Sequence, residues 1–184
     1  MKSSNGGISI FIIGSLVVLL AIATISLLMQ PSTNRYSFNI HNSMKLIKSN
    51  LNINLTDQQG WNNTVADTNN TTMACLRNHG DCFSLTGVKS PITSVRDVVD
   101  NVYLTDLSTA SQGLRLDGKP CTTFDATNGS TACPIKVLLT WTPICAASPC
   151  IDPSYLIEIS FDYSTSKNAG PKIDLSKYNF VIQK

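Results

Sequence analysis

The sequence predicts an α+β protein in which an apolar N-terminal helix, continued by an amphipathic helix, precedes a small antiparallel β-sheet. Three observations predict it. Residues 8–29 form an apolar run without one charged side chain. Beyond it, Tyr36, Ile40, Met44, Ile47, Leu51 and Leu55 recur at spacings of three and four, the repeat of a helical face. Near the other end, residues 135–141, 155–163 and 178–182 alternate apolar and polar side chains, as half-buried strands do.

The apolar run is long enough for a bilayer, since a spanning helix needs about 20 apolar residues. Fourteen of its residues are Ile, Leu, Val or Phe. At about −0.3 to −0.6 kcal/mol each, they favour insertion by on the order of −4 to −8 kcal/mol. Lys2 and the free amino terminus precede the run with no acid between, which keeps the start cytoplasmic and sends the remainder outward. Three readings compete for this segment. It serves as a plain signal anchor, or as a secretory signal cut at Ala21-x-Ala23, although Ile25, Leu27, Leu28 and Met29 keep the helix apolar past that site. In the third reading, residues 1–7 are a short basic leader ending in glycine.

Lys2-Ser3-Ser4-Asn5-Gly6-Gly7 before Ile8-Ser9-Ile10-Phe11-Ile12 resembles the leader junction of type IV pilins and type II secretion pseudopilins. The resemblance implies cleavage between Gly7 and Ile8 by a prepilin peptidase, with methylation of the new N-terminus. It also implies a long N-terminal helix, half in lipid and half packed on a small head. The divisions are then a leader (1–7), a transmembrane helix (8–30), an amphipathic helix continuing it (31–55) and an exported head (56–184). The bland alternative is a membrane anchor followed by a separate surface helix. One departure stands out: the family's major subunits carry Glu where this chain has Ile12. An intramembrane carboxylate is costly and is kept where it finds a partner, so its absence fits a minor or tip subunit better than a major one.

The ~155 residues beyond the membrane segment suit one domain. Charge is sparse and nets to +2, which gives no field for nucleic acid or for a strongly acidic substrate. All six cysteines, Cys75, Cys82, Cys121, Cys133, Cys145 and Cys150, follow the apolar run, and an even count on the exported side reads as three disulfides. Short loop closures favour Cys75 with Cys82, Cys121 with Cys133 and Cys145 with Cys150.

In chain order, Pro31 should kink or break the first helix. Thr56-Asp57-Gln58-Gln59 offers a cap-like start to a second helix, along which Trp61, Val65, Thr68, Thr72 and Leu76 keep helical spacing up to a stop at Asn78-His79-Gly80. The stretch 60–82 also loosely resembles a segment of some pilin-like bacterial proteins. Residues 83–120 show no sustained period and read as irregular, with Leu114-Arg115-Leu116 ending a short strand at the Asp117-Gly118 turn. Strands 135–141 and 155–163 should pair across a proline-rich connection, 143–153, with 178–182 as a third strand. Their apolar face should pack on the amphipathic helix.

Candidate chemistry is thin. His79 lies between Cys75 and Cys82 beside Asp81, yet zinc sites use closely spaced thiolate pairs, and exported thiols are oxidised. His41 is the other histidine, and no nucleophile elbow, zincin helix or phosphate loop occurs in the sequence. Residues 125–130 partly imitate a calcium loop, and Asp97, Asp100 and Asp106 are the other candidate carboxylates. Asn54, Asn62, Asn69, Asn70 and Asn128 each begin an N-x-[ST] triplet, significant only on a eukaryotic secretory route. The expectation is therefore a non-catalytic subunit without cofactor or metal. It sits in the inner membrane with its head in the periplasm or outside, and meets other pilin or pseudopilin subunits. The alternative is an anchored or secreted adhesin or ligand-binding domain that does not polymerise.

Overall fold

The computed structural model describes residues 31–105, 107, 109–164 and 173–184, with side chains from residue 38 onward. Helix α1 (Pro31–Thr56) is followed by α2 (Gln58–Ala66) and the short α3 (Ala74–Arg77). Ile40, Met44, Ile47, Leu51 and Leu55 are fully buried along one face of α1.

Asp57 caps α2: its Oδ1 accepts from the Gln59 and Gly60 amides at 2.8 and 3.1 Å. Gly60, an apparent interruption by sequence, is what lets α2 lie against α1. A Cβ there would stand 2.4 Å from the Asn54 carbonyl oxygen. The expected single helix up to Leu76 is broken after Ala66, because two side chains take over the backbone. Asp67 Oδ1 accepts from Asn69 N at 2.9 Å. Asn70, fully buried, donates to the Thr64 and Ser94 carbonyls at 2.7 and 2.8 Å and accepts from the Thr93 and Ser94 amides at 2.8 and 3.0 Å. Such side-chain clasps compete with helix hydrogen bonding.

Eight strands follow. β1 (Ser90–Pro91), β4 (Gly113–Leu114), β5 (Pro120–Cys121), β6 (Ile135–Ile144), β7 (Ser154–Tyr163) and β8 (Phe180–Gln183) form an antiparallel sheet in the order β5-β4-β6-β7-β8, with β1 also on β6. β2 (Val95–Arg96) and β3 (Val102–Leu104) pair separately. The long pair runs in unbroken register from Ile135 opposite Tyr163 to Ile144 opposite Ser154. Its alternate residues Val137, Leu139, Trp141, Ile157, Ile159 and Phe161 join the face of α1 in one apolar core. Pro143, read as part of the connection, lies within β6. The Leu139 carbonyl accepts from Ile92 N at 3.0 Å, so every second residue from 139 turns its backbone toward β1. β1 ends opposite Trp141 and Thr140, so the amide that Pro143 lacks would have met no strand there.

This architecture corrects the predicted one. Among the described residues there is no long N-terminal helix combining a membrane half with an amphipathic half, and a pilin-like rod on a small sheet is not what the domain shows. It carries eight strands where four were expected. The other four, β1, β2, β3 and β5, lie within residues 83–121, where strands of two or three residues are too short to leave a period of two in the sequence. Among the described residues no helix is long and apolar enough to cross a membrane, and the apolar run 8–29 lies outside them.

Candidate functional site

The six cysteines form three disulfides: Cys75–Cys82, Cys121–Cys133 and Cys145–Cys150. Two of these loops are fastened together by Asp81. Its carboxylate accepts from the Ser148 hydroxyl at 2.7 Å and from the amides of Cys150 and Phe83, both at 2.8 Å. These bonds, that from Ser148 foremost, hold its pKa below the ordinary carboxylate value. The Cys82 amide adds a bond to the Cys150 carbonyl at 3.0 Å. The third disulfide stands apart, packed with Phe124 in a small second cluster.

Because the two loops are tied, His79 and Asp152 meet, Nδ1 to Oδ1, at 3.1 Å, with side chains 76% and 65% exposed. Both take left-handed backbone (φ 51°), a conformation more accessible to His and Asp than to most residues. The pair forms the rim of a cleft of about 770 Å³ bounded by α2, by α3 and its following turn, and by the start of β7. That volume falls in the range of small-molecule sites.

Helical spacing on α2 brings Gln58, Trp61, Asn62 and Val65 to the cleft. Trp61 is buried and stacks on Tyr155, with ring centroids 4.8 Å apart and planes at 25°. Burial pushes the Tyr155 hydroxyl up to about 12, against a smaller opposing hydrogen bond with Trp61. Backbone exchange between Tyr155 and Lys184, at 2.8 and 3.0 Å, sets Lys184 beside this stack. Its ammonium lies 5.8 Å from the Trp61 ring centroid and donates to the Asp57 carbonyl at 3.3 Å. Burial lowers the Lys184 pKa, partly offset by the Asp57 charge. Arg77 approaches from α3, its Nη1 bonded to the Asp67 and Val65 carbonyls at 2.9 and 3.3 Å, the backbone acceptors at the end of α2.

The residues singled out from sequence are distributed differently. Gly7 and Ile8 lie outside the described residues. With Cys75 and Cys82 joined, His79 has no thiolate neighbours for a metal, and among the described residues no group of three or more His, Cys, Asp and Glu could hold one. His41 packs on Tyr178 at 5.6 Å, away from the His79–Asp152 rim. Asp125 and Asp97 fold back on their own loops: Asp125 Oδ1 accepts from Thr127 and Asn128 N, and Asp97 Oδ1 from Val99 and Asn101 N. Asp106 is outside the described residues. Of the five N-x-[ST] asparagines, Asn70 and Asn54 are buried and cannot present an acceptor amide, while Asn62, Asn69 and Asn128 are exposed.

Trp61, Arg77, Tyr155 and Lys184 were not foreseen as a group. Trp61 stood on a predicted helix and Tyr155 on a predicted strand, but only the β7–β8 register and the Asp81 tie bring the four together. Lys136, a polar position in the 135–141 alternation, is nonetheless buried. Its ammonium donates to the Thr109 and Ala110 carbonyls at 2.9 and 3.0 Å and lies 5.7 Å from the Phe124 ring centroid. Comparison of the chain with protein-family models, with curated proteins and with solved structures returns no match.

Proposed function

We propose that this chain is a structural, non-catalytic subunit of an envelope filament of the type IV pilus or type II secretion kind. Residues 8–30 hold it in the inner membrane and assemble it with other subunits, and the head is exported. The reading is carried by the junction at Gly7 and Ile8, a basic leader ending in glycine directly before an uncharged apolar run. Two features of the domain support it. Three disulfides suit an oxidising compartment. Helix α1, which follows the apolar run, also exposes Phe38, Leu46 and Ile53 (64%, 52% and 55%). At about 100° per residue these three lie within roughly 80° of one another, on the side of α1 opposite its buried face. An apolar stripe there gives neighbouring subunits a surface to cover.

Replacement of Gly7 by a bulky residue tests this directly. The variant should retain its leader and run as a larger species on a gel when the prepilin peptidase is present. Unchanged mobility contradicts the proposal. A second reading, an anchored ligand-binding domain that does not polymerise, is favoured by the cleft between α2 and β7.

A further inference from the structure

We propose that the cleft bounded by α2, α3 and β7 binds an acidic saccharide, with Arg77 taking its carboxylate and the Gln58–Asn62 amide pair its hydroxyls. This deepens the ligand-binding reading and holds whether or not the chain assembles into a filament.

Arg77 carries the anionic selectivity. Its bonds to the Val65 and Asp67 carbonyls engage Nη1 alone, and among the described residues no carboxylate is paired with it. The nearest acid in sequence on α2's exit, Asp67, is committed to Arg96 Nε at 2.7 Å and to the Ser94 hydroxyl at 2.8 Å. A guanidinium with Nε and Nη2 left over presents the planar fork that matches a carboxylate. Lys184 lies beside the cleft with its ammonium directed at the Asp57 carbonyl and the Trp61 ring, and the acid lining the rim, Asp152, is hydrogen-bonded to His79. Arg77 is therefore the cation that an anion entering the cleft would meet.

The remaining groups distinguish the kind of anion. Gln58 Nε2 donates to Asn62 Oδ1 at 2.9 Å, which leaves the Gln58 carbonyl and the Asn62 amide N–H as an acceptor and a donor one helical turn apart. That pair complements neighbouring hydroxyls, each of which both donates and accepts. The half-buried Tyr155 ring, backed by Trp61, supplies an apolar wall for the C–H face of a sugar ring. An extended peptide finds no equivalent. It would need a free strand edge, but at Tyr155 the strand β7 is bonded to β6 on one side, opposite Pro143, and to Lys184 on the other.

The test uses the full chain in detergent with its disulfides intact, titrated calorimetrically with trigalacturonate, with its methyl ester and with triglutamate. Trigalacturonate should bind, and the ester and the peptide should bind at least about tenfold more weakly, as loss of a charge-assisted contact implies. Arg77→Lys keeps the charge but not the fork. Because Arg77 also holds the end of α2, a second variant, Gln58→Ala with Asn62→Ala, alters only exposed side chains of one helix. Each should weaken trigalacturonate binding by about tenfold or more with an unchanged circular dichroism spectrum. Equal binding of the ester refutes the role of Arg77, and equal binding of triglutamate refutes the saccharide. Absence of trigalacturonate binding at millimolar concentration, or full affinity in both variants, overturns the site. None of these results bears on leader removal, so this proposal fails separately from the filament assignment.

Discussion

Asn70→Leu is the sharpest single perturbation of this fold. Leucine keeps the branched heavy-atom skeleton of asparagine but makes none of its hydrogen bonds. The side chain joins α2, through the Thr64 carbonyl, to the start of β2, through both the amide and carbonyl of Ser94. Thr64 and Ser94 are themselves buried, so water does not replace what is lost. Three buried backbone groups stripped of a partner, at about 1–3 kcal/mol each, give a loss on the order of 5 kcal/mol. That is a large part of a typical domain's stability of about 5–15 kcal/mol. Urea unfolding under non-reducing conditions, followed by tryptophan fluorescence, measures it. With a slope of about 1–3 kcal/mol per molar, the midpoint should fall by roughly 2 M or more. Asn69→Leu, at the exposed neighbour, should stay within about 0.5 kcal/mol of the parent. A loss below about 1 kcal/mol for Asn70→Leu would refute the clasp, since even one stranded buried group costs that much.

Further consequences follow from other contacts. Gly60→Ala would ordinarily stabilise a helix by up to about 1 kcal/mol. Here the new Cβ would meet the Asn54 carbonyl oxygen at 2.4 Å, and displacing backbone costs about 1–3 kcal/mol. The melting temperature should therefore fall, and a rise would show that α2 is free to shift. Asp67 predicts an acid limb. Burial raises its pKa, but bonds from Asn69 N, Arg96 and Ser94 outweigh that and leave it below its ordinary 3.8. A carboxyl with a depressed folded value contributes stability that is present above the unfolded value and lost as pH falls through the folded one. Asp67→Asn should thus flatten the decline in stability below about pH 4. Parallel acid limbs in the two proteins would contradict it.

What was legible in the sequence is what repeats over enough residues. The alternation along 135–141 and 155–163 located β6 and β7 and their pairing, because ten-residue strands with one buried face leave a long period-two signal. Even cysteine numbers beyond an apolar run announced disulfides. The fold class did not follow, because β1, β2, β3 and β5 are too short to alternate, and the positions of these strands and of β4 depend on β6, α1 and side-chain clasps. Ser43 on α1, for instance, hydrogen-bonds the Leu116 carbonyl in the turn between β4 and β5. Asn70 looked like one asparagine among many and proved to be the link between α2 and β2. Lys136 looked outward until the 109–110 turn closed over it. The cleft was the least legible feature, since its walls come from opposite ends of the head and are brought together by the Trp61–Tyr155 stack, the β7–β8 register and the Asp81 tie between two disulfide loops.

The membrane-tethered subunit assignment is tested most directly by intact-mass and N-terminal analysis of the protein recovered from membranes of a host with the prepilin peptidase. The account predicts a chain beginning at Ile8, heavier by one methyl group. A chain that starts beyond Ala23 and is found free of the membrane, or one that keeps Met1 or Lys2 at its start, would contradict it.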